Sequence, residues 1–232
     1  MTRRQLALEE RLGSKDYVTV LGALPDAVRA EEEGEAAIVH TIMSRAEHDR
    51  LVLVAALGDC NGPLGAALLD EIANRIVESS SVRCAAVIAL AKRVGIRASE
   101  TLVRALESRS GEVKDCAVAS LAAVGDDRAW EPVLERLRTI LARKTRDYVA
   151  LDPTDVEFCV AYLGRHLERA IDRHDRVVSV IHRRWDRLDV IEWRWFHSYW
   201  PACDPTSSAP AVPPAPERLQ TWAQGRVLVP SF

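Results

Sequence analysis

Residues 81–141 carry one pattern twice. The first copy, Ser81-Val-Arg-Cys-Ala-Ala-Val-Ile-Ala-Leu90, is followed by Leu102 and Leu106. The second, Glu112-Val-Lys-Asp-Cys-Ala-Val-Ala-Ser-Leu121, is followed by Val133 and Leu137. Val82 maps onto Val113, Ala86 onto Ala117, Leu90 onto Leu121, Leu102 onto Val133 and Leu106 onto Leu137, each across 31 residues. A period in the range of about 20–50 residues is the mark of stacked supersecondary units. One such unit cannot bury its apolar face alone, so neighbouring copies must supply the rest of the core.

Each copy reads as a helical hairpin. In the second, Val113, Ala117, Ser120, Leu121 and Val124 fall on one side of a first helix. Gly125 is expected as a left-handed C-cap, with Asp126 or Asp127 as the next N-cap. Trp130, Val133, Leu134, Leu137, Ile140 and Leu141 then form the inner face of the second helix. The alanines allow close helix approach, while Leu and Val supply the apolar area, worth about 25 cal/mol per Å². A weaker copy covers 48–78, where Leu57 aligns with Leu90 and Leu69 with Leu102 at an offset of 33. There Asp59-Cys-Asn-Gly62-Pro63 reads as a turn with Pro63 at the first helical position. Leu64, Ala67, Leu68, Ile72 and Ile76 are the expected stripe. Gly62-Pro-Leu-Gly65 lacks the Gly-Lys-Ser/Thr ending of a phosphate loop and reads as a hairpin loop.

Val82-Arg83-x-x-Ala-x-x-x-Ala-Leu90, Ala119-Ser120-Leu121-Ala122-Ala123-Val124-Gly125-Asp126-Asp127-Arg128-Ala129 and Pro132-Val133-Leu134-x-x-Leu137 resemble HEAT repeats. They are most similar to the short subtype first named for phycobilisome lyases. The resemblance implies an all-α fold: a right-handed α-solenoid of four to five HEAT-like hairpins over residues 1–200. Its clearest repeats span 48–143, and a helical C-terminal cap spans 152–200. A Pro/Ala-rich linker and apolar tail follow over 201–232. The family contains scaffolds, cofactor-handling proteins, a metal-dependent hydroxylase and DNA glycosylases, so the resemblance specifies a hairpin better than a function.

Composition narrows the choice. The chain has 232 residues, 48% hydrophobic and 28% charged, with a formal net charge of −3 and pI near 6.1. Residues 1–133 hold 16 basic and 21 acidic residues; 134–232 hold 15 and 13. That balance lacks the basic stripe of a nucleic-acid binder. There is no apolar run of 18 residues, so no membrane span is expected. The first ten residues have no apolar core of a secretory signal. Cys60, Cys84, Cys116, Cys159 and Cys203 are odd in number and widely spaced, without CxxC. With no disulfide framework, they point to a reducing, cytoplasmic setting where Cys84 and Cys116 act as small hydrophobes. No cofactor is implied.

Before the repeats, residues 3–12 read as a helix, as does Ala36–Arg45 with Ile38, Val39, Ile42 and Met43 on one side. Asp16 to Leu24 is apolar, with Pro25 expected to open a short helix toward Ala30. Glu31-Glu32-Glu33-Gly34-Glu35 reads as a solvated acidic face with a break at Gly34, with an acidic contact patch as the alternative. After the repeats, Arg143-Lys144-Thr-Arg146 reads as a basic cluster favouring a helix C-terminus, with an anion contact as the alternative. Asp152-Pro153-Thr154-Asp155 signals a helix start with Asp152 as N-cap. Val156, Cys159, Val160, Leu163, Leu167 and Ile171 follow as one stripe, then Val177, Val178, Ile181, Trp185 and Leu188 as another. Two helices meeting near Arg173-His174-Asp175 are expected.

The chemically richest stretch runs from Arg165 to Trp200. His166, His174 and His182 recur every eight residues, about 80° apart around a helix, and so form no single metal face. No HExxH or His-Glu pair occurs, against the hydroxylase branch. Four of the six tryptophans lie between Trp185 and Trp200. Ile191-Glu-Trp-Arg-Trp-Phe196 fits a helix or an alternating strand. Its aromatic residues suit a terminal cap that seals the last repeat, or a binding surface, because Trp, Tyr and Arg dominate interface hot spots. The candidate binding residues are Arg183, Arg184, Trp185, Trp193, Arg194, Trp195 and Trp200. Trp185, Asp186 and Asp189 supply the residue types that the resemblance to HEAT-like glycosylases implies. The leading expectation is a scaffold that binds a protein partner through its concave groove and this aromatic surface. The alternatives are a small-molecule-handling enzyme and a DNA-binding glycosylase. No catalytic residue can be assigned from the sequence.

Overall fold

The computed structural model describes residues 2–44, 50–144, 153–208 and 212–229. Arg45, Arg146, Asp152 and Pro230 to Phe232, all given roles above, lie outside the described residues. Within them every regular element is a helix, and none is long and apolar enough to cross a membrane. The chain forms two compact units, 1–117 with 228–232 and 118–227.

The first unit begins with α1 (Arg3–Leu12), α2 (Tyr17–Arg29) and α3 (Glu31–Ser44), which pack on one another. Asp16 opens α2 by accepting hydrogen bonds from the amides of Val18 and Thr19. Pro25 lies inside α2 and does not start a helix as expected. A proline there cannot donate the helical hydrogen bond to the Leu21 carbonyl; Arg11 donates to the next carbonyl along, that of Gly22, at 3.2 Å. Met43, expected to face inward, is exposed, whereas Ile38 and Ile42 are buried.

The repeats form α4 (Leu51–Leu57), α5 (Gly65–Asn74), α6 (Ser80–Val94), α7 (Ser99–Ala105), α8 (Gly111–Val124) and α9 (Trp130–Arg143). All five residue pairs related by 31 positions are buried, as are Leu57 and Leu69 of the weaker copy. In the first unit α4 packs on α6, α5 on α6 and α5 on α7. The boundary between the units falls in α8, after Ala117. Two local expectations fail. Gly125 does not have a positive φ; Gly95, the C-cap of α6, does, at 57°. The α5 stripe is Leu68, Leu69, Ile72 and Ala73; of the residues expected on it, Leu64 and Ala67 are exposed, and Ile76 lies beyond the end of α5 and is exposed too.

The acidic segment explains why α5 starts at Gly65 instead of Pro63. Glu35 is fully buried, contrary to the solvated face expected. Its carboxylate accepts the amides of Leu64 at 3.0 Å and Gly65 at 2.8 Å, and pairs with the guanidinium of Arg93. Arg93 also donates to the Leu57 carbonyl at 2.7 Å and to that of Gly62. The Gly62–Gly65 loop thus presents its amides to an anion, as a helix N-terminus does, and the anion is the chain's own carboxylate. A Cβ on Gly62 would lie 2.0 Å from Glu35 Oε2, so a side chain there would displace the carboxylate.

The second unit is arranged around α10 (Asp155–Arg165). Thr154, not Asp152, is its N-cap, in a capping box with Glu157. Nine consecutive residues, Val156 to Gly164, are buried. A helix buried all round must have neighbours on every side. They are α9, α11 (Arg173–His182), α12 (Val190–Tyr199) and α13 (Pro216–Val227). Two α-helices, α10 and α11, lie between Thr154 and Leu188, as expected, but Ile171 lies in the turn between them, fully exposed. The 201–216 stretch is less extended than its composition implies: Pro201–Cys203 forms a 3-10 turn and Cys203 is fully buried. The apolar tail packs back on its own chain through Leu219, Trp222, Ala223 and Val227 of α13. Gly164 permits that approach, since a Cβ there would come within 2.7 Å of Leu219 Cδ1.

Candidate functional site

Helix α12 has a well-defined start. Asp189 accepts the amide of Ile191 at 2.9 Å, and Glu192 returns to the amide of Asp189 at 2.8 Å. Glu192 is fully buried, and both its oxygens meet the ammonium of Lys144, at 2.6 and 2.5 Å. Lys144 thus stands at the C-terminus of α9, as expected, and also makes the anion contact weighed as the alternative, as a buried partner of a carboxylate. Arg187 donates to the Lys144 carbonyl at 2.8 Å, tying the end of α9 to the start of α12.

From this fixed start, α12 presents Ile191, Arg194, Trp195, Ser198 and Tyr199 along one side. Helix α13 supplies Arg218, Trp222 and Arg226, four residues apart and so on one face. Trp195 and Tyr199 stack at 5.1 Å with 26° between their planes. Trp222 meets Trp195 edge-on at 5.5 Å and Phe158 of α10 at 5.1 Å. The Arg218 guanidinium lies 4.7 Å over the Tyr199 ring and that of Arg226 4.6 Å over Trp222. Two adjoining clefts, of about 400 and 200 Å³, share Tyr199, Trp222 and Arg226.

The charge of these clefts is one-sided. Among the described residues, neither Arg194, Arg218 nor Arg226 is ion-paired with a carboxylate. Glu217 is exposed at the rim. Glu157, the other acid lining them, is turned into the capping box of α10. The indole N–H of Trp195 is buried with no hydrogen-bond partner in the described chain. Such a surface offers three cations beside packed aromatic rings. It suits an anionic ligand with planar or apolar groups.

The candidates chosen from sequence separate here. Arg194 and Trp195 line the clefts. Trp193 is on the surface, its Nε1 donating to the Trp185 carbonyl at 3.2 Å. Trp185 is half-buried against Phe196, at 5.5 Å. Arg183 and Arg184 are exposed at the end of α11 and line neither cleft. Trp200 is fully buried, 5.7 Å from the His174 ring, and is a core residue. Arg218, Trp222 and Arg226 were not singled out. Their spacing of four residues was the signal available.

Catalytic geometry is a poorer match. His166, Tyr162 and Arg165 lie together at the end of α10. Tyr162 donates to the Asp126 carbonyl at 2.5 Å, and Arg165 caps the end of α8 through the Ala122 carbonyl, also at 2.5 Å. Burial, aided by Arg165, lowers the His166 pKa to about 4, so the ring is neutral near pH 7. The Asp189 carboxylate is committed to its N-cap. Among the described residues no three His, Cys, Asp or Glu side chains converge as a metal site would require. The chain matches no protein-family model, and no curated protein is similar to it.

Proposed function

We propose that this protein is a HEAT-type scaffold, a right-handed α-solenoid, that binds an acidic segment of a protein partner in the α12–α13 clefts. Three arginines that pair with no carboxylate among the described residues, set against Trp195, Tyr199 and Trp222, carry this reading. Carboxylates of the segment would meet Arg194, Arg218 and Arg226, and its apolar or aromatic side chains would lie on the rings. Such Arg and Trp surfaces concentrate binding energy in few residues. The repeat architecture is supported by the buried 31-residue correspondences and by the packing of α4 on α6 and α5 on α7. The repeats would then act as a rigid support that requires no catalytic geometry.

The test is native capture by wild type and by an Arg194→Glu/Arg218→Glu/Arg226→Glu variant, with and without nuclease. The proposal expects a protein that wild type retains through nuclease treatment and the variant loses. Capture abolished by nuclease would favour a nucleic-acid ligand, for which stacked rings and arginine are also suited. Equal capture by wild type and variant would place the binding surface elsewhere.

A further inference from the structure

The two cysteines that look in sequence like unrelated small core residues are neighbours in space. Cys84 lies on α6 and Cys116 on α8, the first helices of successive copies. The N-terminal ends of the two copies are tied by Ser80 Oγ donating to Ser110 Oγ at 2.9 Å, and by Arg83 donating to Ser108 Oγ at 3.1 Å. One helical turn beyond Ser80, the Cys116 thiol is hydrogen-bonded to Cys84. Both cysteines are half-buried, whereas Cys60, Cys159 and Cys203 are buried.

We propose that Cys84 and Cys116 form a dithiol redox site, which a low-molecular-weight disulfide such as glutathione disulfide converts to an intramolecular disulfide joining α6 to α8. The Cys84 thiolate attacks one sulfur of glutathione disulfide. The S–S bond of the reagent breaks, one glutathione leaves as thiolate, and Cys84 becomes a mixed disulfide. Cys116 then loses its proton and attacks Cys84 Sγ, releasing the second glutathione. Two protein thiols are oxidised and one disulfide is reduced to two thiols, so atoms and electrons balance. The hydrogen bond from Cys116 holds the Cys84 pKa below its ordinary value. An accessible thiol of lowered pKa beside a resolving thiol is the arrangement of a redox-responsive pair. Cys60 shows the opposite setting: burial, reinforced by Glu35, pushes its thiol up to about 11.

The full-length reduced protein is incubated with glutathione disulfide, quenched with an alkylating agent and digested with trypsin under non-reducing conditions. Cleavage after Arg83, Lys92, Lys114 and Arg128 puts the two cysteines in different peptides. The proposal expects those peptides joined, with loss of two hydrogens, reversibly by dithiothreitol, while Cys60 stays reduced. It also expects Cys84 to react more than about tenfold faster than Cys60. Cys116→Ser, which removes the resolving thiol, should accumulate glutathione on Cys84. Stable glutathione on both cysteines of the wild type, cross-links only between molecules, or no reaction at Cys84 would each overturn it. A circular-dichroism spectrum of Cys116→Ser matching wild type ensures that the trapped adduct reports a folded chain.

Discussion

Helices α6 and α10 are both rich in apolar residues, yet they are held in different ways. In α6 the buried positions Val82, Ala86 and Leu90 recur four residues apart, and Ser81 on the same helix is open to solvent. Its neighbours are helices a few tens of residues away in the chain. In α10 no side is free, and α13, which covers it, begins about fifty residues later at Pro216. Each region also buries one ion pair that positions a helix start. Glu35 with Arg93 holds α5, and Glu192 with Lys144 holds α12. Where one stripe is repeated, copies share the packing, and Arg93 serves the interior. Where distant helices converge on one core, aromatic rings are left at the edge beside Arg194, Arg218 and Arg226, which pair with no carboxylate among the described residues. That edge is the candidate binding surface.

The largest effects should come from the buried pairs. Glu35→Ala leaves Arg93 buried without its carboxylate and uncaps α5, and should cost about 3–5 kcal/mol by denaturant unfolding. Glu192→Ala should cost a similar amount through Lys144. A Glu35→Ala loss below that of an ordinary surface substitution would show that the first unit depends on its stripes alone.

Gly164→Ala comes next. The added methyl meets Leu219 and should cost about 1–3 kcal/mol, with a shift in Trp222 emission as α13 moves. Gly111→Ala, where nothing lies within 4 Å of the new Cβ, is the matched control and should produce no such emission shift. Thr154→Ala removes the capping oxygen of α10 and should cost about 1 kcal/mol.

His166 sharpens the comparison through pH. Its folded pKa, about 4, lies below the ordinary 6.5, so between those values the unfolded chain binds a proton that the folded chain does not. Stability should therefore fall as pH drops through that window, and the residue should contribute no pH dependence above it. His166→Gln should show a flatter profile between pH 6.5 and 4 than wild type; identical profiles would mean the ring is solvated.

The legibility of the sequence follows the same division. The 31-residue correspondences, the Asp126 cap and the inner face of α9 were readable because the residues that specify them are local or repeated. The burial of Glu35 was not, since its partners are the loop at Gly62–Gly65 and Arg93, 58 residues away. The docking of α13 was not either: nothing near Leu219 or Trp222 shows that Gly164 leaves room for them. For the candidate site, the aromatic run identified Trp195 and Arg194 but could not separate them from the buried Trp200. Arg218, Trp222 and Arg226 join the site only through the tertiary fold. Cys84 and Cys116 likewise became a pair only when α6 and α8 were in place.

The most direct test of the proposed surface is fluorescence anisotropy with labelled peptides of equal length and aromatic content but different net charge. A single-stranded oligonucleotide serves as comparison. Wild type should bind the acidic peptides, more weakly as salt rises, and prefer them to neutral and basic peptides and to the oligonucleotide. The Arg194→Glu/Arg218→Glu/Arg226→Glu variant should lose that binding while unfolding at nearly the wild-type denaturant concentration. No preference for acidic peptides, or full binding by the folded variant, would contradict the account.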